Sequence, residues 1–292
     1  MRELSPIYEF ILWDNCSNNC NFCWQKSNGK NLSKKDKILS INAISSILNH
    51  GFLENGSHIL LVGGELFDQS DNDIKDGLFE LYKRIRVLMK EEKIGFLYLN
   101  TNLMYDIGFL IRVMSLFNDG EMIGRIRFTT SYDEYGRFEN DEKRNLFLKN
   151  LECVVSENPG LGIVVNSILS TQMCKALKEH GGFRKTVKVP DSVKFNLIPY
   201  IGNSSVLMPK RNDVFESLLQ EERISRGFLA EYIRNFNLNQ RKIVMKYDTN
   251  TGEFLNFCSD LADCGHSVNF RKYSMSGSCF ICDITELFNG YE

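Results

Sequence analysis

The residues best equipped for chemistry are cysteines. Cys16-Ser17-Asn18-Asn19-Cys20-Asn21-Phe22-Cys23 sets three thiols at a C-x3-C-x2-C spacing. A loop that short folds back on itself, so three thiolates can converge on one face of a metal cluster. A four-iron cubane held by three cysteines keeps one iron without a protein ligand, and an open coordination position is what separates a catalytic metal site from a closed structural one. The alternative is part of a zinc knuckle, or a few buried thiols. His50, the nearest histidine along the chain, is too far away for knuckle spacing.

A second set lies near the C-terminus. Cys258-x5-Cys264-x14-Cys279-x2-Cys282 offers four thiols, a closed set for either an auxiliary four-iron cluster or a zinc ion. His266 lies among them, but the cysteines already fill the set. Cys153 and Cys174 fall in helical segments and are expected to pack as small hydrophobes. Clustered cysteines in a chain of 292 residues, with no secretion-like segment at residues 1–6, point to metal or catalysis rather than to a disulfide framework.

These thiols must be positioned by a scaffold, and its elements are legible in the hydrophobic periodicity. Short β-rich runs at Tyr8–Trp13, His58–Val62, Gly95–Asn100, Arg125–Ser131, Gly162–Ile168 and Val193–Ile198 alternate with helical stretches. The helices are expected at Ile41–His50 with Ser40 as cap, Ile74–Lys90, Asp106–Phe117, Asp141–Ser156 and Thr171–His180. The charged run Lys34-Lys35-Asp36-Lys37 reads as a solvated helix start. Five helices joining six parallel strands describe an α/β chain, a barrel or part of one. Beyond Pro199 the pattern changes. A boundary near residue 203 would divide a domain of residues 1–202 from an extension of 203–292. That extension would hold helices at Asn212–Arg223 and Gly227–Asn235, then a hairpin from Arg241 through the turn Thr249–Gly252 to Phe257.

The cysteine motif C-x3-C-x-aromatic-C after a first strand, with Phe22 as the aromatic, resembles the signature of the radical S-adenosylmethionine (SAM) superfamily. Gly63-Gly64-Glu65 after the second strand resembles that family's GGE motif, although Leu66 stands where proline is frequent. Thr101-Asn102 after the third strand resembles the Thr-Asn pair of many members. Ser131 and Asp133 after the fourth strand, Asn166 in the fifth and Ile198 at the sixth fall where members contact the methionine, ribose and adenine of SAM.

The resemblance covers roughly residues 7–201 and implies a partial (β/α)6 TIM-like barrel, with a small cysteine-bearing α+β extension after it. It implies a SAM-binding cluster on Cys16, Cys20 and Cys23, glycines that admit SAM closely, and a Glu65 carboxylate that meets the methionine ammonium group. One-electron cleavage of SAM would then yield a 5'-deoxyadenosyl radical that abstracts hydrogen from a substrate. The C-terminal cysteines resemble the twitch and SPASM extensions of peptide maturases. A peptide or protein is accordingly the favoured substrate, and flavodoxin or ferredoxin the expected reductant. A nucleoside, nucleic acid or small metabolite is the alternative substrate. A non-catalytic electron-transfer or zinc protein is the reading from another class.

The net charge of -2 gives no overall basic field for nucleic acid or an acidic membrane, although a local basic groove is compatible with it. No run approaches the ~18 apolar residues of a membrane span, so a cytoplasmic protein is expected. The four histidines are scattered, with neither a His pair at i, i+4 nor a G-x-S-x-G nucleophile motif, so hydrolase and metalloprotease chemistry finds no support.

Overall fold

The computed structural model describes residues 5–18, 20, 23, 32–51, 53–134, 136–180, 189–190, 192–199 and 242–259. The expected helices at 212–223 and 227–235 and the expected boundary near 203 lie outside these residues, as do Phe22, Cys264, His266, Cys279 and Cys282.

The chain is α/β. Strands β1 (Ile7–Ile11), β2 (Ser57–Val62), β3 (Ile94–Asn100), β4 (Ile126–Ser131), β5 (Gly162–Leu169) and β6 (Lys194–Pro199) follow one another in sequence and lie side by side in the same order. Every pairing among them is parallel. β7 (Lys242–Asp248) adds a seventh parallel strand on the free side of β1, and β8 (Glu253–Ser259) returns antiparallel along β7. The C-terminal hairpin thus extends the same sheet.

Helices α1 (Lys34–Asn49), α2 (Asn72–Lys90), α3 (Gly108–Met114), α4 (Asp141–Glu157) and α5 (Thr171–His180) make the crossovers. Because successive crossovers step in one direction and share one hand, the helices stack on one face of the sheet. The burial pattern shows this. Tyr8, Phe10, Ile59, Leu61, Leu97, Leu99, Phe128 and Val165 form one core with the apolar stripes of the helices. The alternate residues His58, Leu60, Tyr98, Arg127, Thr129 and Asn166 point to the other face and remain half-buried. Parallel sheets are ordinarily covered on both faces. A sheet with helices on one face must therefore curl around the other or find a separate cover, and this arrangement is compatible with a partial barrel.

Side-chain caps fix the helix starts. Asp71 accepts from the N–H groups of Asp73 and Ile74, and Asn140 from that of Lys143. The expected cap at Ser40 is corrected. α1 begins seven residues earlier, where Ser33 has an extended backbone and its hydroxyl accepts from Asp36 N–H at 3.2 Å, while Ser40 is buried inside the helix. The charged run is the first turn of α1: Lys34 and Lys35 are exposed, whereas Lys37 is half-buried, its ammonium donating to Gln69 Oε1 at 3.0 Å over the Trp13 ring. α3 also starts later than expected. The Asp106 carboxylate takes the Gly108 N–H at 2.8 Å in a turn, which delays the helix by two residues. Among the described residues no helix is long and apolar enough to cross a membrane.

Candidate functional site

Parallel strands deliver their following loops to one edge of the sheet, and the sequence motifs lie in those loops. The β1–β2 ladder continues beyond the strands proper. Leu12 N–H bonds Val62 O, Gly64 N–H bonds Trp13 O, and Glu65 N–H bonds Asn15 O, each at 2.9 Å. The chain leading to Cys16 therefore lies directly against Gly63-Gly64-Glu65. A Cβ on Gly64 would stand 2.0 Å from the carbonyl oxygen of Asn15, and one on Gly63 would stand 3.0 Å from that of Trp13. The close approach these glycines permit is made by the chain's own backbone. The Asn15 side chain closes the base of the cysteine loop by accepting from Leu32 N–H at 2.9 Å.

Glu65 is buried, and its carboxylate gathers the ends of β2 and β3. It accepts from Phe67 N–H at 3.1 Å, from the Thr101 hydroxyl at 3.1 Å and from Asn102 N–H at 2.7 Å. The Tyr105 hydroxyl lies 2.5 Å from that of Thr101. Burial outweighs these donors and pushes the Glu65 carboxyl up to about 7.

Asn102 reaches the other way as well. Its amide nitrogen lies 3.7 Å from Cys16 Sγ, and the backbone N–H of Asn18 meets the same sulfur at 3.4 Å. Three motifs separated by up to 86 residues thus meet at one place.

The three thiols are free. Although Cys16 as a residue is exposed, desolvation of its thiol pushes it up to about 11, and Cys20 and Cys23 raise it further as neighbouring charges. Cys20 is buried and also raised, chiefly by burial, with Arg137 acting against the shift. Such thiols stay protonated near neutral pH until a cation displaces the proton. Among the described residues no three His, Cys, Asp or Glu side chains converge closely enough to hold a single metal ion.

Asp133 stands beyond the end of β4, buried. Its Oδ1 accepts from Ile168 N–H at 2.7 Å and from the Ser167 hydroxyl at 3.3 Å, while its Oδ2 has no hydrogen-bond partner among the described residues. Burial pushes its carboxyl up to about 7, against the pull of Arg137. Arg137 Nε is likewise buried without a hydrogen-bond partner among the described residues, and Cys20 Sγ lies 4.0 Å from the Arg137 carbonyl oxygen. Ser131 pairs in register with Asn166, and both are half-buried at this end of the sheet. Ile198 lies opposite Ile168 on β6.

Cys258 is placed elsewhere. It lies opposite Ile243 on β8, and Ile243 lies opposite Tyr8, near the start of β1. Its backbone is therefore roughly 10 Å back along the strands from the edge that carries Cys16.

Several residues of the site carry no motif. Arg137 lies in the loop after β4, four residues beyond Asp133, and its charge lowers the Asp133 carboxyl, a pairing no sequence spacing in a loop announces. Asn150 lies among Phe147, Leu151 and Val154 on the buried stripe of α4; a polar residue on an apolar stripe calls for a partner. It donates to the carbonyls of Leu103 at 3.0 Å and Tyr105 at 2.8 Å. Leu103 itself has a φ of 58° and is fully buried, and nothing in a leucine announces a left-handed backbone.

No protein-family model matches the chain, and no curated protein matches it in sequence.

Proposed function

We propose that this chain is a radical SAM enzyme built on a partial barrel, with a four-iron cluster on Cys16, Cys20 and Cys23 and SAM beside it. The observation that carries the reading is the meeting of Asn102 with both Glu65 and Cys16, which joins the cysteine, GGE and Thr-Asn motifs at the edge where parallel strands place their loops. Ligands of open α/β folds and barrels bind at that edge.

The donor set suits the cluster. Three cysteines whose charges act on one another suit a group that spreads its bonds over three irons. The polar surroundings suit SAM. Among the described residues, Asp133 Oδ2 and Arg137 Nε are buried near Cys20 without a hydrogen-bond partner, and such atoms are costly unless a ligand completes them. Glu65, buried among neutral donors with its carboxyl raised, gains most from an ammonium group nearby.

When bound, the cluster and SAM supply a one-electron cleavage to methionine and a 5'-deoxyadenosyl radical that takes hydrogen from the substrate. The chain orients Cys16 through Asn102 and Asn18, holds the two loops together through Glu65, and keeps water from the polar groups by burial. A peptide or protein is the proposed substrate, by resemblance of the C-terminal cysteines to those of peptide maturases. With Cys258 back along the sheet, a metal held there, zinc or a second cluster, suits a structural or electron-relaying role better than substrate contact.

Anaerobic reconstitution with iron and sulfide, followed by an assay for 5'-deoxyadenosine with SAM and reductant, tests this. Cleavage by wild type and by Cys153→Ala, with none by Cys16→Ala, Cys20→Ala or Cys23→Ala, is the expected result. Retained cleavage in any of those three variants, or none by fully loaded wild type, rejects the reading.

A further inference from the structure

We propose that Asn102 is a positioning residue whose side-chain amide donates a hydrogen bond to the Cys16 thiolate and thereby makes the cluster held there easier to reduce. This rests on the cluster assignment above.

The amide has only one orientation compatible with its neighbours. Its Oδ1 accepts from Met104 N–H at 2.8 Å, so Nδ2 is the atom that faces Cys16 Sγ at 3.7 Å. The backbone of the residue is pinned by its N–H bond to Glu65 at 2.7 Å. The next residue, Leu103, is forced into the left-handed region, which for a non-glycine residue is strained and persists only where its surroundings impose it. The Asn150 amide imposes it here by holding the Leu103 and Tyr105 carbonyls. Residues after β2, after β3 and on α4 thus fix one amide against one sulfur, and at 6% exposure Asn102 has little water to compete for its donor.

The energetic consequence has a definite sign. Reduction adds one electron to the cluster, supplied by a one-electron donor of the flavodoxin or ferredoxin class, and its charge spreads onto the coordinating sulfurs without proton transfer. An N–H aimed at one of those sulfurs stabilises the more negative state, so it raises the potential. Removing the donor lowers it.

The test is a potentiometric titration of reconstituted protein, followed by electron paramagnetic resonance, in wild type, Asn102→Leu and Asn102→Asp. Asn102→Leu keeps much of the shape and loses the donor. Asn102→Asp keeps the shape and the acceptor for Met104 N–H and sets an oxygen against the sulfur. At a fixed poise the reduced-to-oxidised ratio should fall about tenfold in Asn102→Leu, a shift of about 59 mV for one electron, and further in Asn102→Asp. Equal potentials at equal iron content overturn the proposal. If Asn102→Leu fails to load iron, Asn102→Asp decides by the same comparison; if neither loads, Asn102 is structural and the proposal fails. A wild type that assembles no cluster rejects the functional reading itself, a separate outcome.

Discussion

The ammonium of Lys246 on the C-terminal hairpin pairs with the carboxylate of Asp14, 232 residues earlier, at the head of the cysteine loop. The Asp14 side chain is 9% exposed and that of Lys246 24%, so the pair is partly shielded from water. Lys246→Met should cost about 1–3 kcal/mol, less than loss of a partner from a fully buried pair, because it strands a largely buried carboxylate. Asp14→Asn combined with Lys246→Met should recover most of that loss. Urea denaturation of wild type and the two variants checks the order.

Gly64 is the glycine with least room. A Cβ there would meet Asn15 O at 2.0 Å and Asp14 O at 2.5 Å, both backbone atoms that cannot turn aside. Gly64→Ala should push the cysteine loop away from β2, with at least 3 kcal/mol of stability lost by order of magnitude and iron loading greatly reduced. Gly77→Ala inside α2 meets only Ile41 side-chain atoms at 3.5 Å and 3.6 Å. It should gain about 0.5–1 kcal/mol from helix propensity with loading unchanged. Thermal denaturation and iron analysis of the pair separate a specific clash from a general intolerance of substitution.

Asp133 gives stability a pH dependence of known sign. Its carboxyl titrates at 3.8 when exposed and at about 7 in the fold. Between those values the folded chain holds a proton that the unfolded chain has released. Stability therefore falls as pH rises through this window, by up to about 1.4 kcal/mol per unit, and levels off above about pH 7. Asp133→Asn keeps the Oδ1 acceptor for Ile168 and Ser167 and carries no charge. Its stability relative to wild type should grow from pH 4 to pH 7 and then remain constant. A difference independent of pH in urea denaturation would contradict this.

Asn150→Ala should be among the most damaging changes on α4, because two buried carbonyls lose their donor together and the left-handed turn at Leu103 loses its restraint. The expected loss is about 2–4 kcal/mol. Hydrogen exchange should show faster opening around residues 101–105 than in Glu152→Ala, an exposed change on the same helix.

The strand and helix pattern was legible because period-two and period-3.6 burial is written into the residues themselves, as in Ile59 and Leu61 of β2 or Ile74, Leu78, Leu81 and Ile85 of α2. The hairpin was legible in its turn residues. Its docking beside β1 was not, since a strand records which residues it buries but not which edge it joins. Ser40 misled because a serine before an apolar run looks like a cap wherever it falls, and only the backbone at Ser33 distinguishes the two.

By itself the sequence determined the α/β alternation and the three motifs, since chemistry at fixed spacing survives in any fold that keeps the loops. Only the tertiary structure decided that Asn102 touches Cys16 and Glu65 together, that Gly63 and Gly64 make room for the chain's own backbone, and that Asp133 is buried against Ser167 and Ile168. Those relations join residues distant along the chain, and contacts of that kind are set by how the parallel strands bring successive loops to one edge.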